Sequence, residues 1–407
     1  MLATVLHGPD DIRYEECPTP EPGPGEVLVQ VRAVGVCGSD VPRVLADAAH
    51  FYPLILGHEF AGVIAGFGEG VRARPVGRGE AEVRAHSGGT GDTGQTGAGD
   101  TSLRAGAGAA GVGARPVGAA VASAGSDSRW TLGDRVTVAP LVPCHACEQC
   151  QRGHYSMCTH YSFIGSSRMG ALAQYVAVPA RNLVPLADSI DFPQAAMIEP
   201  STVALHGIRV GDFRPGGHVA ILGGGTVGLL TAQWARILGA KSVTVVDVDP
   251  HRLSVARDLG VSHTIDSRLT DPVEAARQLT EGEGFSHVFE TAGQVATQNL
   301  ALRLVARAGA ITLIGNAHDD PHFPAATFEL LNRREVHLTA SWMSYSAPFP
   351  GVEWTDTVHY FASGALRWSP ALLQDGHALP LSAVGGAFQL YRRPGAINGK
   401  LLFRPEA

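Results

Sequence analysis

The sequence predicts an α/β protein in which a doubly wound parallel sheet interrupts a β-rich part of the chain. Residues 1–71 and 129–185 contain short β-type runs, such as Val27–Val31, separated by Gly and Pro. From about residue 216, short apolar runs alternate with helical stretches, and beyond Trp342 the β and loop character returns. Alternation of this kind is typical of a parallel sheet that is covered by helices on both faces.

The strands of the predicted parallel sheet are read from six apolar runs. They are Val219–Leu222, Val243–Val246, His263–Ile265, His287–Phe289, Ala310–Ile314 and Val336–Thr339. We expect them to form six βα units in a domain of about 130 residues. A ligand site is expected in the cleft between this domain and the discontinuous β-rich domain.

Length and composition bound the class of protein. With 407 residues, 45% of them hydrophobic and 17% charged, the chain is long enough for two or three domains. It has no run of about 18 apolar residues, and its N-terminus turns polar at His7 before a signal-like region is complete. The net charge is −7 and the basic residues are scattered. We therefore expect a soluble cytoplasmic protein that binds neither nucleic acid nor a membrane.

Residues 72–128 fit neither domain. They contain fourteen glycines, no aromatic residue and a single leucine, Leu103, and the pentapeptide Ala-Arg-Pro-Val-Gly occurs in them twice. Such a composition cannot build a core, so we predict a flexible insertion in a surface turn. A regulatory or partner-binding loop is the alternative.

Four of the six cysteines form one cluster, made of Cys144, Cys147, Cys150 and Cys158. Their spacing allows a tight loop to wrap a tetrahedral ion, as structural zinc sites require. An iron–sulfur cluster is the competing interpretation, but seven residues separate the last two cysteines and no proline follows Cys158. We expect a structural zinc ion. Because sulfur fills all four positions, this site should fix a lobe and not react.

A second group of metal-ligating residues is spread along the chain. Cys37 lies about twenty residues before the pair His58-Glu59, and Glu199 stands alone between Ile and Pro. Catalytic zinc needs three protein ligands and an open position, and thiolate, imidazole and carboxylate supply that mixture. We expect a catalytic zinc ion on Cys37, His58 and one carboxylate. Either Glu59 or Glu199 can be the third ligand, and Glu199 can instead hold a water molecule at the metal.

A glycine-rich turn follows the first strand of the predicted parallel sheet and opens a helix. The turn consists of Gly223, Gly224, Gly225, Thr226, Val227 and Gly228. Glycines there allow backbone N–H groups to approach a pyrophosphate closely at the helix N-terminus. The next strand ends in Asp247, where an acid accepts hydrogen bonds from the adenosine ribose. A carboxylate repels a 2′-phosphate, so we expect NAD and not NADP, although Arg252 can swing toward a phosphate.

Two further loops follow strands of the same predicted sheet. Thr291 comes after the fourth strand, and Ile314 and Gly315 come at the end of the fifth. Ligands of doubly wound sheets bind at the carboxyl ends of the strands. We expect these residues to contact the nicotinamide side of the cofactor.

These motifs resemble the zinc-dependent medium-chain dehydrogenase/reductase family, and in particular its galactitol-1-phosphate 5-dehydrogenase branch. The resemblance spans the whole chain apart from the insertion, and its most specific stretches are Cys37–Arg43, Ala49–Pro53, Gly57–Phe60, Ala326–Phe328 and Ser341–Gly351. It implies a GroES-like β-rich catalytic domain plus a Rossmann domain. The expected parts are residues 1–197, 198–342 and 343–407, the middle one binding NAD.

The resemblance also implies a function. The protein would use one catalytic and one structural zinc ion and would transfer a hydride from a secondary alcohol of a polyol or polyol phosphate to NAD, giving a ketose or ketose phosphate. Glu59 would serve the catalytic centre, Ser39 would relay the proton, and the chain would form a homodimer or homotetramer. We expect substrate contacts from Arg43, His50, Ser344 and Tyr345.

Three alternatives stay open. The first is oxidation of an unphosphorylated polyol or alcohol of the sorbitol or arabitol type. The second is a non-catalytic zinc-binding regulatory protein, and the third is a zinc-free quinone reductase on the same scaffold. Many members of the family carry an acidic and aromatic pattern, Asp-Gly-Gly-Phe-Ala-Glu-Tyr, where this chain has Met169–Tyr175. That departure leaves the substrate open.

Overall fold

The computed structural model describes residues 1–72, 130–317 and 319–405. The predicted insertion, 72–128, lies outside the described residues except for Arg72. The described chain forms a β-rich lobe and a lobe built on a parallel sheet. The fold class predicted from the sequence is confirmed.

The β-rich lobe contains ten strands before the parallel sheet begins. They are β1 Leu2–Gly8, β2 Asp11–Glu16, β3 Glu26–Gly35, β4 Leu54–Ile55, β5 Glu59–Phe67, β6 Arg135–Val138, β7 Leu141–Val142, β8 Ser162–Phe163, β9 Tyr175–Pro179 and β10 Leu183–Pro185. Strand β3 is the centre, because it pairs antiparallel with both β5 and β9. Its alternating sequence buries Val27, Val29 and Val31 on one face, as a half-buried strand requires.

Short helices fill the turns of this lobe. The α-helices are α1 Val41–Leu45, α2 Glu148–Gln151 and α3 Phe192–Ala195, and 3₁₀ turns lie at Gly38–Asp40, Tyr155–Met157 and Ala180–Asn182. The turn Gly38–Asp40 and helix α1 follow β3 directly. They therefore hold the residues after Cys37 against the end of the central strand.

The second lobe is a six-stranded, fully parallel sheet in the order β13-β12-β11-β14-β15-β16. Its strands are β11 His218–Leu222, β12 Ser242–Asp247, β13 His263–Asp266, β14 Phe285–Glu290, β15 Val305–Leu313 and β16 His337–Ala340. All six apolar runs that predicted strands lie in or overlap these strands. The order reverses between β11 and β14, the position at which doubly wound sheets bind nucleotides.

Helices cover the parallel sheet. They are α4 Ile198–Val210, α5 Thr226–Ile237, α6 Pro250–Asp258, α7 Pro272–Leu279, α8 Val295–Leu304, α9 Ala325–Phe328 and α10 Leu330–Arg333. Helices α6 and α7 each begin with a proline that follows an aspartate. The side chains of Asp249 and Asp271 accept hydrogen bonds from the first helical N–H groups.

The segment after the parallel sheet contains more helix than the sequence predicted. It forms α11 Val352–Ala362, α12 Val384–Leu390 and only two short strands, β17 Leu379–Pro380 and β18 Leu402–Arg404, with 3₁₀ turns at Pro370–Leu372, Gln374–Gly376 and Leu381–Ala383. The prediction of β and loop character was wrong for residues 352–362. Trp354 and Phe361 recur at helical spacing and are buried.

The C-terminus returns to the first lobe. Strand β18 pairs antiparallel with β3, so that Leu402 faces Gly35 and Phe403 faces Val34. The β-rich lobe is thus discontinuous in sequence, as predicted. No helix in the part of the chain that the structure describes is both long and apolar enough to cross a membrane.

Candidate active site

A cleft of about 520 Å³ lies between the two lobes. Its walls come from three distant parts of the sequence. The lining includes Cys37, Ser39, Arg43 and Glu59, then Gly225, Thr226, Val227, Gly228, Arg252, Thr291, Ile314 and Gly315, and finally Asn398 and Lys400. The cleft therefore brings two of the predicted metal ligands, Cys37 and Glu59, to the same place as most of the residues predicted to bind the cofactor.

Cys37, His58 and Glu59 form one cluster, in which a ligand atom of each lies within 4.8 Å of the others. The register of the central sheet brings them together. Gly35 at the end of β3 faces Glu59 at the start of β5. A Cβ atom at position 35 would lie 2.4 Å from Glu59 Oε2, so only glycine lets that carboxylate cross the strand.

The cluster has the properties of a metal site. Burial, and after it the charge of Glu59, raise the pKa of the Cys37 thiol to about 11. The His58 ring is buried, and its Nδ1 lies 3.6 Å from Asp40 Oδ1, which is longer than a hydrogen bond. Thiolate, imidazole and carboxylate form the mixed donor set of catalytic zinc. These residues fit a zinc ion.

Asp40 was not singled out from the sequence, although it lies in the same short turn. It is fully buried and accepts a hydrogen bond from the backbone N–H of Cys37 at 3.1 Å. Its other oxygen lies 3.3 Å from Arg43 Nη1. A carboxylate behind a ligating histidine fixes the orientation of the ring. The signal was the spacing Cys-x-x-Asp, which places the carboxylate over the start of the turn.

Lys400 was also missed. It is one of only two lysines in the chain, and its Nζ contacts Glu59 Oε2 in the interior. Burial lowers the pKa of Lys400, but the charges of Glu59 and Cys37 outweigh burial, so the net shift is upward. A buried ammonium group therefore faces the carboxylate of the candidate metal site.

Glu199 lies in the first turn of α4 and is 8% exposed. Its pKa is raised to about 8, because burial favours the neutral form; the charges of Glu59 and Cys37 add to this, while His58 opposes it. The charges of the cluster therefore act on the carboxyl group of Glu199. The group of donors within 4.8 Å of one another consists of Cys37, His58 and Glu59.

The four clustered cysteines also converge in the structure. Sulfur atoms lie 3.5 Å apart for Cys144 and Cys158 and 3.9 Å apart for Cys144 and Cys150. Tetrahedral zinc with Zn–S bonds of about 2.3 Å places sulfurs about 3.8 Å apart. The N–H groups of Cys150 and Thr159 lower the pKa of Cys147 to about 5, which favours a thiolate. The geometry fits the closed zinc site that the spacing predicted.

The glycine-rich turn joins β11 to α5. Gly223 has a φ of 101°, which favours glycine, and a Cβ atom at Gly228 would lie 1.9 Å from the Gly223 carbonyl. Gly225 precedes the first residue of α5 and has open space on its Cβ side. The turn therefore presents the free N–H groups of a helix N-terminus to the cleft.

Asp247 and Arg252 lie beside this turn. Asp247 accepts hydrogen bonds from the N–H groups of Gly224 at 2.5 Å and Asp249 at 2.7 Å. Arg252 Nη1 lies 3.8 Å from Asp247 Oδ2, and Arg252 Nη2 donates to the Ile397 carbonyl at 2.7 Å. Arg252 therefore spans the cleft between the two lobes.

The loops predicted to meet the nicotinamide also line the cleft, next to the glycine-rich turn. The Thr291 hydroxyl donates to the Leu222 and Gly223 carbonyls at 2.9 and 3.1 Å. Ile314 and Gly315 follow β15 and line the cleft. Glu290, which the sequence did not indicate, is fully buried and accepts the N–H groups of Ala292 and Gly293, so it shapes this loop.

The four predicted substrate contacts are placed differently from one another. Arg43 lines the cleft. His50 is exposed and is not part of the cleft lining, and Ser344 and Tyr345 are buried, at 0% and 3% exposure, behind α4. Direct contact with substrate stays a prediction for all four, and this placement favours it only for Arg43.

Comparisons with known proteins cover both lobes. The zinc-binding dehydrogenase family model matches residues 226–356, and the alcohol dehydrogenase GroES-like domain model matches residues 23–118 and 101–188. Both matches agree with the lobes seen in the structure.

Individual relatives include polyol enzymes. The chain is 32% identical to galactitol 1-phosphate 5-dehydrogenase of Escherichia coli strain K12 over 92% of this chain and 93% of that enzyme. A crystal structure of galactitol-1-phosphate dehydrogenase from that species matches with a TM-score of 0.80 at 30% identity, covering 100% of both chains. Sorbitol dehydrogenase of Bacillus subtilis strain 168 is 30% identical over 77% of this chain and 75% of that enzyme. A candidate zinc-binding dehydrogenase from Sinorhizobium meliloti 1021, solved bound to NADP, matches with a TM-score of 0.78 at 26% identity over 99% of both chains.

Proposed function

We propose that this chain, which belongs to the zinc-dependent medium-chain alcohol dehydrogenase family, oxidises a secondary alcohol of a polyol or polyol phosphate with NAD. One observation carries the proposal. The donors Cys37, His58 and Glu59 converge at the cleft, and Cys37 and Glu59 share its wall with the glycine-rich turn. A metal-activated alcohol and a nicotinamide would therefore meet in one space.

We assign the metal ligands to Cys37, His58 and Glu59. Zinc bound there would supply a Lewis acid that lowers the pKa of an alcohol. Asp40 lies beside the ring of His58, 3.6 Å from Nδ1, and Lys400 would hold the carboxylate of Glu59. Glu199 would stand beside the ligands as a buried carboxyl group that takes up or releases a proton, since its pKa of about 8 lies near neutrality.

Ser39 would move the proton of the substrate alcohol toward solvent. Ser39 lines the cleft two residues after Cys37, and its Oγ accepts a hydrogen bond from Arg43 Nη1 at 3.3 Å. Arg43 also donates to the Ser39 carbonyl at 2.6 Å, which fixes the serine against the turn. Arg43 is therefore best placed to orient Ser39.

The cofactor preference rests on Asp247. Its carboxylate lies at the end of β12 beside the glycine-rich turn, where it would accept the adenosine ribose hydroxyls and repel a 2′-phosphate. Arg252 Nη2 is committed to the Ile397 carbonyl, so it has less freedom to turn toward a phosphate. These contacts favour NAD over NADP.

A second candidate, an unphosphorylated polyol, is favoured by the charges of the cleft. In the lining that the described residues form, the three cationic side chains are Arg43, Arg252 and Lys400. Each of them already faces a carboxylate, namely Asp40, Asp247 and Glu59. A phosphate dianion would need a free cation or N–H cluster, and charge-assisted pairs are costly to break when buried.

The test is reduction of NAD with a panel of polyols and their monophosphates, with zinc stoichiometry measured on the same sample. We expect turnover with at least one polyol or polyol phosphate and two zinc ions per chain. Cys37→Ser is the matched negative control, because it alters one ligand atom and leaves the cysteine cluster intact. Full activity of that variant, or one zinc per active chain, would contradict the proposal.

A final proposal concerns assembly. We propose a homo-oligomer that uses the open edge of the parallel sheet, because the edge strand β16 and its neighbours expose Phe328, Leu338 and Trp342 at 53%, 51% and 48%. Leu338→Lys should dissociate the assembly in analytical ultracentrifugation, whereas Leu269→Lys, at an 82% exposed leucine elsewhere, should not.

A further inference from the structure

Residues 344–349, here called the bridging segment, do not line the cleft, although the sequence placed two of them at the substrate. Ser344 and Tyr345 are buried, and the Trp354 side chain donates to the Ser344 carbonyl at 3.1 Å. The first two residues of the segment are therefore held inside the molecule. Their polar contacts run in two directions.

One direction leads to Glu199. The Ser344 hydroxyl lies 2.7 Å from the Thr202 hydroxyl, and the latter donates to the Glu199 carbonyl at 2.7 Å. Both hydroxyls are fully buried, so the bonds fix the first turn of α4. Tyr345 follows Ser344 directly and is itself buried, so it extends the same fixed stretch of chain.

The other direction leads to the four-cysteine loop. The backbone N–H of Tyr345 donates to Ser156 Oγ at 3.3 Å, and the Tyr345 hydroxyl accepts from the N–H of Leu141 at 3.0 Å. Ser156 lies between two of the clustered cysteines, and Leu141 lies just before the first. The Phe349 ring meets the Tyr155 ring edge to face at 5.2 Å.

We propose that Ser344 is a positioning residue that fixes the first turn of α4, and with it Glu199, at the catalytic metal site, and that Tyr345 is a positioning residue that ties this arrangement to the four-cysteine loop. The two metal sites are thereby linked through one packed segment and not only through the chain between them. The proposal rests on the proposed metal site, but not on the identity of the substrate or cofactor.

The test is a double-mutant cycle between Tyr345→Phe and Glu199→Gln on the zinc-loaded protein. The readout is the rate at which the more exchangeable zinc is lost to a chromogenic chelator. Tyr345→Phe should speed this loss at least about threefold in the natural sequence and have little effect when Glu199 is already Gln, because interacting residues are not additive. Tyr360→Phe is the matched control, since its ring packs on Trp234 far along α11.

Equal effects of Tyr345→Phe in both backgrounds, or no effect in either, would overturn the proposal. Ser344→Ala is a second test variant that does not alter an aromatic ring. Its effect on the rate of zinc loss should likewise disappear when Glu199 is already Gln. For the link to the loop, Ser156→Ala should speed loss of the same zinc, while Ser369→Ala, which removes another hydroxyl that accepts a backbone N–H, should not. If the unmodified protein oxidises no polyol while the metal-release rates show the expected dependence on Glu199, the proposed function fails and the positioning role stands.

Discussion

Lys400→Met provides the sharpest test of the charge arrangement at the candidate metal site. The Lys400 side chain is 7% exposed and that of Glu59 is 1% exposed, so the pair is shielded from water. Removing one partner of such a pair costs about 3–5 kcal/mol, because the other charge stays buried without compensation. Methionine keeps most of the apolar stem, so the loss reports mainly the charge.

The cost should depend on the metal. In protein dialysed against a chelator until one zinc per chain remains, we expect the free energy of unfolding to fall by about 3 kcal/mol or more. In zinc-loaded protein the ion supplies positive charge to Glu59, and we expect less than half of that loss. Urea denaturation with and without zinc measures both values, and a slope of about 2 kcal/mol/M converts the larger one into a midpoint shift of about 1.5 M.

Lys241→Met is the matched control, because Lys241 is the only other lysine and is exposed. It should change stability by less than about 0.5 kcal/mol in either state. Equal destabilisation by Lys400→Met with and without zinc would refute the reasoning, because it would mean that Glu59 does not face the metal. A loss no larger than that of Lys241→Met would refute the buried pair itself.

Three other predictions concern the same cleft and the cysteine loop. Asp247→Ala should raise the KM for NAD about 10- to 100-fold, since it removes charge-assisted hydrogen bonds to the ribose. The KM for NADP should rise less, and a proportional rise for both cofactors would contradict the role of Asp247. Cys147→Ser should lose one zinc per chain and lower the thermal midpoint while the secondary structure in circular dichroism stays, whereas Cys17→Ser, outside the cluster, should retain two zinc ions. Zinc binding at the catalytic site should release protons, because the pKa of Cys37 in the metal-free site is about 11 and that of Glu199 is about 8. The affinity for zinc should therefore rise about tenfold per pH unit for each proton released between pH 6 and pH 8. Equilibrium dialysis that shows no dependence of zinc affinity on pH would exclude this.

The features that were predictable from the sequence are local ones. The cysteines sit within fifteen residues, and the glycine-rich turn follows its strand directly, so spacing alone indicates their geometry. The six parallel strands were recognisable because buried parallel strands form short continuous apolar runs. Helix α11 was missed, since a loop rich in Pro and small residues precedes it and masks the helical spacing of Trp354 and Phe361.

The features that were missed depend on long-range pairing. Lys400 reaches Glu59 only because β18 returns to pair with β3, more than three hundred residues away in sequence. Ser344 and Tyr345 lie in the stretch Ser341–Gly351, on which part of the family resemblance rested, but a sequence motif does not tell which way its side chains face. Their burial behind α4 depends on the packing of α11 against that helix.

The charges around the cluster argue for a divalent ion. Asp40 is paired with Arg43, and Glu59 is paired with Lys400, so these two carboxylates are already neutralised. Glu199 has no ion pair among the described residues, and Cys37 is partly buried; burial and the neighbouring charge of Glu59 raise the pKa of both groups. Deprotonated on metal binding, Cys37 and Glu199 would carry two negative charges between them. An ion of charge +2 balances these two charges. A monovalent ion would leave one of them uncompensated in a site that is shielded from water.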